Sequence, residues 1–170
     1  MKQLILFRHA KSSWDDDVDD VDRPLAPRGE RDAPRMGQRL KARHARPTVI
    51  LASHAARAQR TAKLVARALG LAPKQIDTDK ALYLASPDEI LRVVAGQEDA
   101  HSCLLLVGHN PGLTALVNRL LPDLALDNLP TSGVVAVDLA TTRWRGTSSA
   151  DAKLAYYDYP KNPELSVTEN

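Results

Sequence analysis

The chain has 170 residues, 44% hydrophobic and 26% charged, a composition that supports one domain around one core and excludes a low-complexity chain. A formal net charge of +2 gives no bulk case for nucleic acid, and the single cysteine, Cys103, excludes an intrachain disulfide. No apolar run approaches the roughly 18 residues of a membrane span, and the first one is cut at Arg8, too early for a secretion signal, so a soluble cytoplasmic protein is expected.

The first predicted element is a buried strand over Lys2 to Phe7, and it closes on Arg8-His9. The segment from Arg28 to His44 contains Pro34, which argues against an uninterrupted helix. A helix with Asp32 as N-cap tolerates Pro34 in its first turn and turns Met36 and Leu40 inward. Its arginines read as a solvated face, with an acidic partner site as the alternative. A second buried strand is predicted over Val49 to Ala52. It leads into a helix from Ala56 to Leu69, with Ala58, Ala62, Val65 and Leu69 on one face. Ser86-Pro87-Asp88-Glu89 has the form of a capping box with proline at the first helical position, and Ile90, Leu91 and Val94 supply the buried face. A third buried strand runs from Cys103 to Val107, where Cys103 reads as a small buried hydrophobe. Asn110-Pro111 starts the next helix by the same logic, followed by Leu113, Leu116, Val117, Leu120 and Leu121. Gly133 to Leu139 and Lys153 to Tyr159 form an antiparallel edge joined through Thr141 to Asp151, and an irregular tail begins at Pro160.

These elements predict an α/β fold: a three-layer sandwich, a mostly parallel central sheet with helices on both faces and an antiparallel C-terminal edge. Residues 1–160 form a single domain and 161–170 a C-terminal tail.

Three polar clusters follow the three buried strands: Arg8-His9, then Ser53 to Arg57, then Gly108-His109-Asn110. Ligands of open α/β sheets bind outside the carboxyl ends of the strands, so parallel neighbours would bring these clusters together. Two imidazoles and two guanidiniums then surround one point. Arginine forks match phosphoryl oxygens, and the helix start after His109 also favours an anion. Metal ligation is disfavoured, because no carboxylate or cysteine companions are evident and two arginines repel a cation.

Arg8-His9-Ala10-Lys11-Ser12 resembles the Arg-His signature of the histidine phosphatase superfamily, also called phosphoglycerate mutase-like. Asp22-Arg23-Pro24-Leu25, Gly29, Ser53 to Ala62 and Val107 to Gly112 follow the order of its small SixA-type branch, the phosphohistidine phosphatases. The resemblance implies that His9 is the nucleophile and is transiently phosphorylated. It implies that Arg8, Arg57 and His109 hold the phosphoryl oxygens, with Lys11 and Arg23 as further substrate-binding candidates and no cofactor.

Many members of that superfamily carry an acidic proton donor where this chain reads Ala81-Leu82-Tyr83-Leu84-Ala85. The nearest acids are Asp79, Asp88 and Glu89. Expelling an alkoxide needs a proton donor, whereas imidazole, whose conjugate acid has a pKa of about 6.5, leaves with less help. The absence of a clear acid therefore favours phosphohistidine in a protein. The alternatives are a broad-specificity phosphomonoesterase or mutase-like enzyme acting on a small phosphorylated molecule, and a catalytically inactive phosphate- or phosphoprotein-binding module. Arg60 adds positive charge near the pocket, and a hydroxyl from Thr131-Ser132 serves a turn or reaches the phosphate.

Overall fold

The computed structural model describes residues 1–15 and 17–163. Six strands form one sheet: β1 (Lys2–Arg8), β2 (Val49–Ser53), β3 (Ile76–Asp79), β4 (Cys103–Gly108), β5 (Val134–Leu139) and β6 (Ala152–Asp158), in the order β3-β2-β4-β1-β5-β6. β1, β4, β2 and β3 pair in parallel, while β5 pairs antiparallel with β1 and β6 antiparallel with β5. The sheet is mostly parallel with an antiparallel C-terminal edge, as the sequence predicts.

Nearly continuous apolar strands suit this sheet because both faces are covered. Leu4, Leu6, Leu104 and Leu106 face one cluster with α3 (Pro87–Ala95) and α4 (Gly112–Leu120). Ile5, Phe7, Leu105 and Val107 face the other with α1 (Pro27–Ala42) and α2 (Ala56–Leu69). Alternate residues of one strand thus feed opposite helical layers. Among the described residues, no helix is long and apolar enough to cross a membrane.

α2 has its predicted ends, and the Ser86–Glu89 capping box of α3 is present. Two expectations need correction, and one strand has no counterpart among the predicted elements. First, α1 starts at Pro27 and carries Pro34 in its interior. Pro34 costs the helix about 3 kcal/mol through its missing N–H and ring clash. Burial of Ala33, Met36 and Leu40 offsets that cost, and the start is fixed from outside. Ala26 N–H donates to the Lys11 carbonyl at 2.8 Å, and a Cβ on Gly29 would lie 2.2 Å from that oxygen. Local propensity suggested the later start; packing on the 10–13 loop moves it to Pro27. Second, α4 begins at Gly112, one residue beyond the predicted Pro111. Asn110 Oδ1 accepts from Thr114 N at 3.1 Å, and a Cβ at Gly112 would fall 1.8 Å from the Ala85 carbonyl. The unmatched strand is the short edge strand β3, Ile-Asp-Thr-Asp, which is too polar to read as a strand from its sequence.

The arginine face of α1 is also not uniformly solvated. Arg39 is 4% exposed and bonds Asp158, itself 1% exposed, at 3.1 Å. It also donates to the Tyr159 carbonyl at 2.8 Å, tying α1 to the end of β6. Asp158→Ala strands a buried guanidinium and is expected to destabilise the protein by about 3–5 kcal/mol. Urea unfolding of wild type and variant checks this; a loss under 1 kcal/mol, on the order of an exposed pair, would refute it. The predicted 161–170 tail falls, from residue 164 onward, outside the described residues.

Candidate active site

The parallel pairing puts Arg8 beside Gly108 across β1 and β4, so the carboxyl ends of the two strands are level. His9 follows directly, and its backbone N–H donates to the Gly108 carbonyl at 3.1 Å. The polar clusters after β1, β2 and β4 therefore converge. Arg8, His9, Lys11, Arg23, Arg57 and His109 all line one cavity of about 330 Å³. The rings of His9 and His109 lie 5.1 Å apart, centroid to centroid.

His9 Nδ1 lies 2.8 Å from the Ala10 carbonyl. A carbonyl only accepts, so the neutral ring carries its proton on Nδ1 and its lone pair on Nε2. Thr61 fixes the backbone beneath: its Oγ1 accepts from Ala10 N at 2.9 Å and donates to the Arg57 carbonyl at 2.7 Å. This links the nucleophile candidate to the first turn of α2.

His109 is set by a similar device. Ser53 Oγ accepts from Ala55 N at 3.2 Å and stands 2.8 Å from His109 Nε2. Ala55 N–H can only donate, so Nε2 is the partner of Ser53, among the described residues, that can accept the hydroxyl proton. The neutral His109 ring then carries its hydrogen on Nδ1, as a donor. That Nδ1, together with Arg8 Nε and Arg57 Nε, is buried and unpartnered among the described residues. Buried polar groups are nearly always satisfied, so three unpartnered donors on residues that line one cavity point to an acceptor-rich group there.

Burial pushes the His9 imidazole down to about 3, with the charges of His109, Arg57 and Arg8 acting in the same direction against the Ala10 hydrogen bond. Burial likewise takes His109 down to about 4, again with Arg57 and Arg8 contributing. Both rings are thus neutral around pH 7. The unfolded rings bind protons near pH 6.5, while the folded ones resist until about pH 4 and 3. Below pH 6.5 the unfolded state therefore binds more protons, so these two histidines support full stability above that value and subtract from it as pH falls. For the free enzyme, the acid limb of kcat/KM is expected well below pH 6.5. A pH–rate profile checks this, and a half-maximum at pH 6–7 assigned to His9 would contradict it.

The surroundings are not free of carboxylates, as the sequence suggested. Asp20, on a short 3-10 turn over Asp20–Asp22, lines the same cavity. Its Oδ2 accepts from Arg57 Nη2 at 3.0 Å, and its main-chain oxygen from Arg57 Nη1 at 2.7 Å. Its Oδ1 accepts from Arg23 Nε at 3.1 Å, and Tyr83 OH donates to Oδ2. The Tyr83 hydroxyl first, then Arg57, hold the Asp20 carboxyl down at about 2. Asp20 grips both terminal nitrogens of Arg57 and leaves Nε unpaired. Its residue type does not single it out in the sequence, because it is one of six aspartates between residues 15 and 22. Its place three residues before Arg23, at ion-pair spacing, was the available signal.

The other candidates are distributed as follows. Lys11 is exposed at the cavity and Arg23 is buried with its guanidinium 3.4 Å from the Trp14 ring centroid. Asp79 caps Ala81 N at 2.8 Å, Asp88 pairs with Arg119 at 2.5 Å, and Glu89 closes the capping box; none of the three lines the cavity. Arg60 is held by both oxygens of Glu30, so it adds no free charge there. Ser132 takes a left-handed turn conformation, φ 59°, with its N–H on the Arg8 and His9 carbonyls, while Thr131 lines the cavity.

Residues 4–83 match the family model of the histidine phosphatase superfamily, branch 1. An uncharacterized protein of Mycobacterium tuberculosis is 31% identical over 168 residues, covering 91% of this chain and 100% of that one. Among solved structures, SixA of Nakamurella multipartitia superimposes with a TM-score of 0.80 at 28% identity, covering 95% of this chain and 97% of that one. SixA of Agrobacterium tumefaciens gives 0.77 at 27% identity, covering 94% and 99%. Phosphatases with other substrates share the fold at lower identity, so the fold does not choose the leaving group.

Proposed function

The chain belongs to the histidine phosphatase superfamily and is a phosphatase, and on that premise we propose that it hydrolyses phosphohistidine in proteins through a phosphorylated His9. The observation that carries the reading is the set of three unpartnered donors, Arg8 Nε, Arg57 Nε and His109 Nδ1, around a neutral histidine with a free Nε2.

His9 Nε2 attacks phosphorus in line while the bond from phosphorus to the leaving imidazole nitrogen breaks. Arg8, Arg57 and His109 donate to the equatorial oxygens as charge spreads over them. Water then attacks phospho-His9, releasing inorganic phosphate and restoring the neutral ring. Lys11 and Arg23 add positive charge at the mouth.

The leaving group follows from the carboxylate chemistry. Asp20 is the cavity's carboxylate among the described lining residues, and at about 2 its pKa keeps it ionised at neutral pH. An ionised carboxylate does not deliver a proton to an alkoxide. The phosphorylated imidazole takes a proton from water on its second ring nitrogen before the P–N bond breaks, which an imidazole does near neutrality, and so departs as a neutral ring. The mouth agrees with this. Trp14 and Leu84, exposed by 73% and 55%, both line the cavity and offer apolar surface to a flat ring. The two SixA neighbours carry phosphohistidine phosphatase as a proposed activity, which points the same way.

The test is a comparison of kcat/KM on a histidine-phosphorylated protein with that on a panel of alkyl and sugar phosphates. Phosphohistidine is expected to be preferred by about a hundredfold, on the order of one missing proton transfer. Faster hydrolysis of the alkyl esters would reject the substrate reading while leaving the phosphatase assignment intact.

A further inference from the structure

The catalytic chemistry above leaves one motif unused, the arginine row of α1. Arg28, Arg31 and Arg35 stand at three- and four-residue spacing, which puts them on one helical face. With Lys161 they line a cavity of about 740 Å³ between α1 and the end of β6. Arg31 and Arg35 are exposed, and neither has an ion-pair partner among the described residues. Arg28 alone has one, Asp32 at 3.6 Å. Among the described lining residues, four cations therefore stand against one carboxylate.

The groove leads to the reaction. Thr131 lines both it and the cavity around His9. Asn110, from the catalytic side, donates to Asn128, from the groove side, at 3.0 Å. A molecule lying along α1 would thus present its next residues to the nucleophile.

We propose that this groove docks an acidic surface segment of the histidine-phosphorylated substrate protein, an inference that rests on the phosphohistidine reading. Guanidinium forks in a row match carboxylates in geometry and charge. At an exposed rim such charges raise the encounter rate and select the partner more than they tighten the complex. That suits an enzyme that must release its protein product. A nucleic-acid strand fits less well. The lining contains Asp32, whose carboxylate repels phosphates, and the rings of Tyr157 and Tyr159, 5.3 Å apart between centroids, admit no base between them.

The experiment uses the double charge reversal Arg31→Glu and Arg35→Glu in the full chain. Two substrates are compared: a net-negative protein domain phosphorylated on histidine with phosphoramidate, and free phosphohistidine. The variant is expected to raise KM for the domain about tenfold, with kcat on the domain and both constants on free phosphohistidine within about twofold. Added salt should raise KM for the domain in the wild type and leave the variant flat. An unchanged KM for the domain, with wild-type turnover intact, overturns the docking role alone. Wild-type turnover of an aryl phosphate with none of the phosphorylated domain rejects the substrate reading, and docking with it. Salt-sensitive retention of single-stranded RNA, lost in the variant while KM for the domain stays constant, also overturns the proposal and reassigns the groove.

Discussion

His9→Ala is expected to abolish turnover, with a loss of at least about four orders of magnitude in kcat on any phosphorylated substrate. The size follows from what the side chain supplies. Removing a covalent nucleophile deletes the two-step route altogether, and the remaining donors can only bind the phosphoryl group. The fold should survive, because His9 contributes one side-chain hydrogen bond, to its neighbour's carbonyl, and little apolar burial. Three measurements separate the explanations. Rapid acid-free quenching of wild type with radiolabelled substrate should trap label on the protein, and His9→Ala should show none. The variant should still bind vanadate or phosphate, because Arg8, Arg57 and His109 remain. Its unfolding midpoint should stay close to wild type. Turnover retained in His9→Ala would sink the mechanism, and so would labelling that persists without it.

Arg57→Ala is expected to cost about a hundred- to a thousandfold in kcat, the usual loss for one preorganised donor to developing oxyanion charge. Two features push it toward the upper end. The guanidinium is 3% exposed, so its charge acts in a poorly screened place. It also neutralises Asp20, whose carboxylate would otherwise face the incoming phosphoryl group with only Arg23 and Tyr83 to balance it. Arg57→Lys should recover little, because one ammonium cannot hold the Asp20 carbonyl, the Asp20 carboxylate and a phosphoryl oxygen together. Adding Asp20→Asn to Arg57→Ala should restore part of the loss if repulsion contributes. A decrease below tenfold in Arg57→Ala would remove Arg57 from the cradle.

Much of this site is legible in the chain because its chemistry is tied to strand ends. Leu4 to Phe7, Val49 to Ala52 and Cys103 to Val107 are apolar throughout, which requires cover on both faces and hence a parallel sheet. Once those strands are parallel, Arg8-His9, Arg57 and His109 have nowhere to diverge. The capping box of α3 and the helix faces of α2 and α3 are legible for the same reason: they depend on neighbours within a few residues.

What stayed hidden depends on contacts distant in sequence. Asp20 lies 37 residues from Arg57 and 63 from Tyr83, and nothing local distinguishes it from the aspartates beside it. The tautomers of His9 and His109 rest on a carbonyl and on Ser53, which only coordinates can place. The start of α1 is decided by the 10–13 loop packing on Gly29, against the preference of Pro34.

The sequence by itself determined the sheet apart from its edge strand β3, its two helical layers and the cationic pair of arginines around two histidines, since periodicity and strand-end position are local properties. The tertiary structure alone decided which carboxylate holds Arg57, which donors are left unpaired and where the arginine row leads. Those outcomes are set by distances between side chains that the chain brings together only on folding.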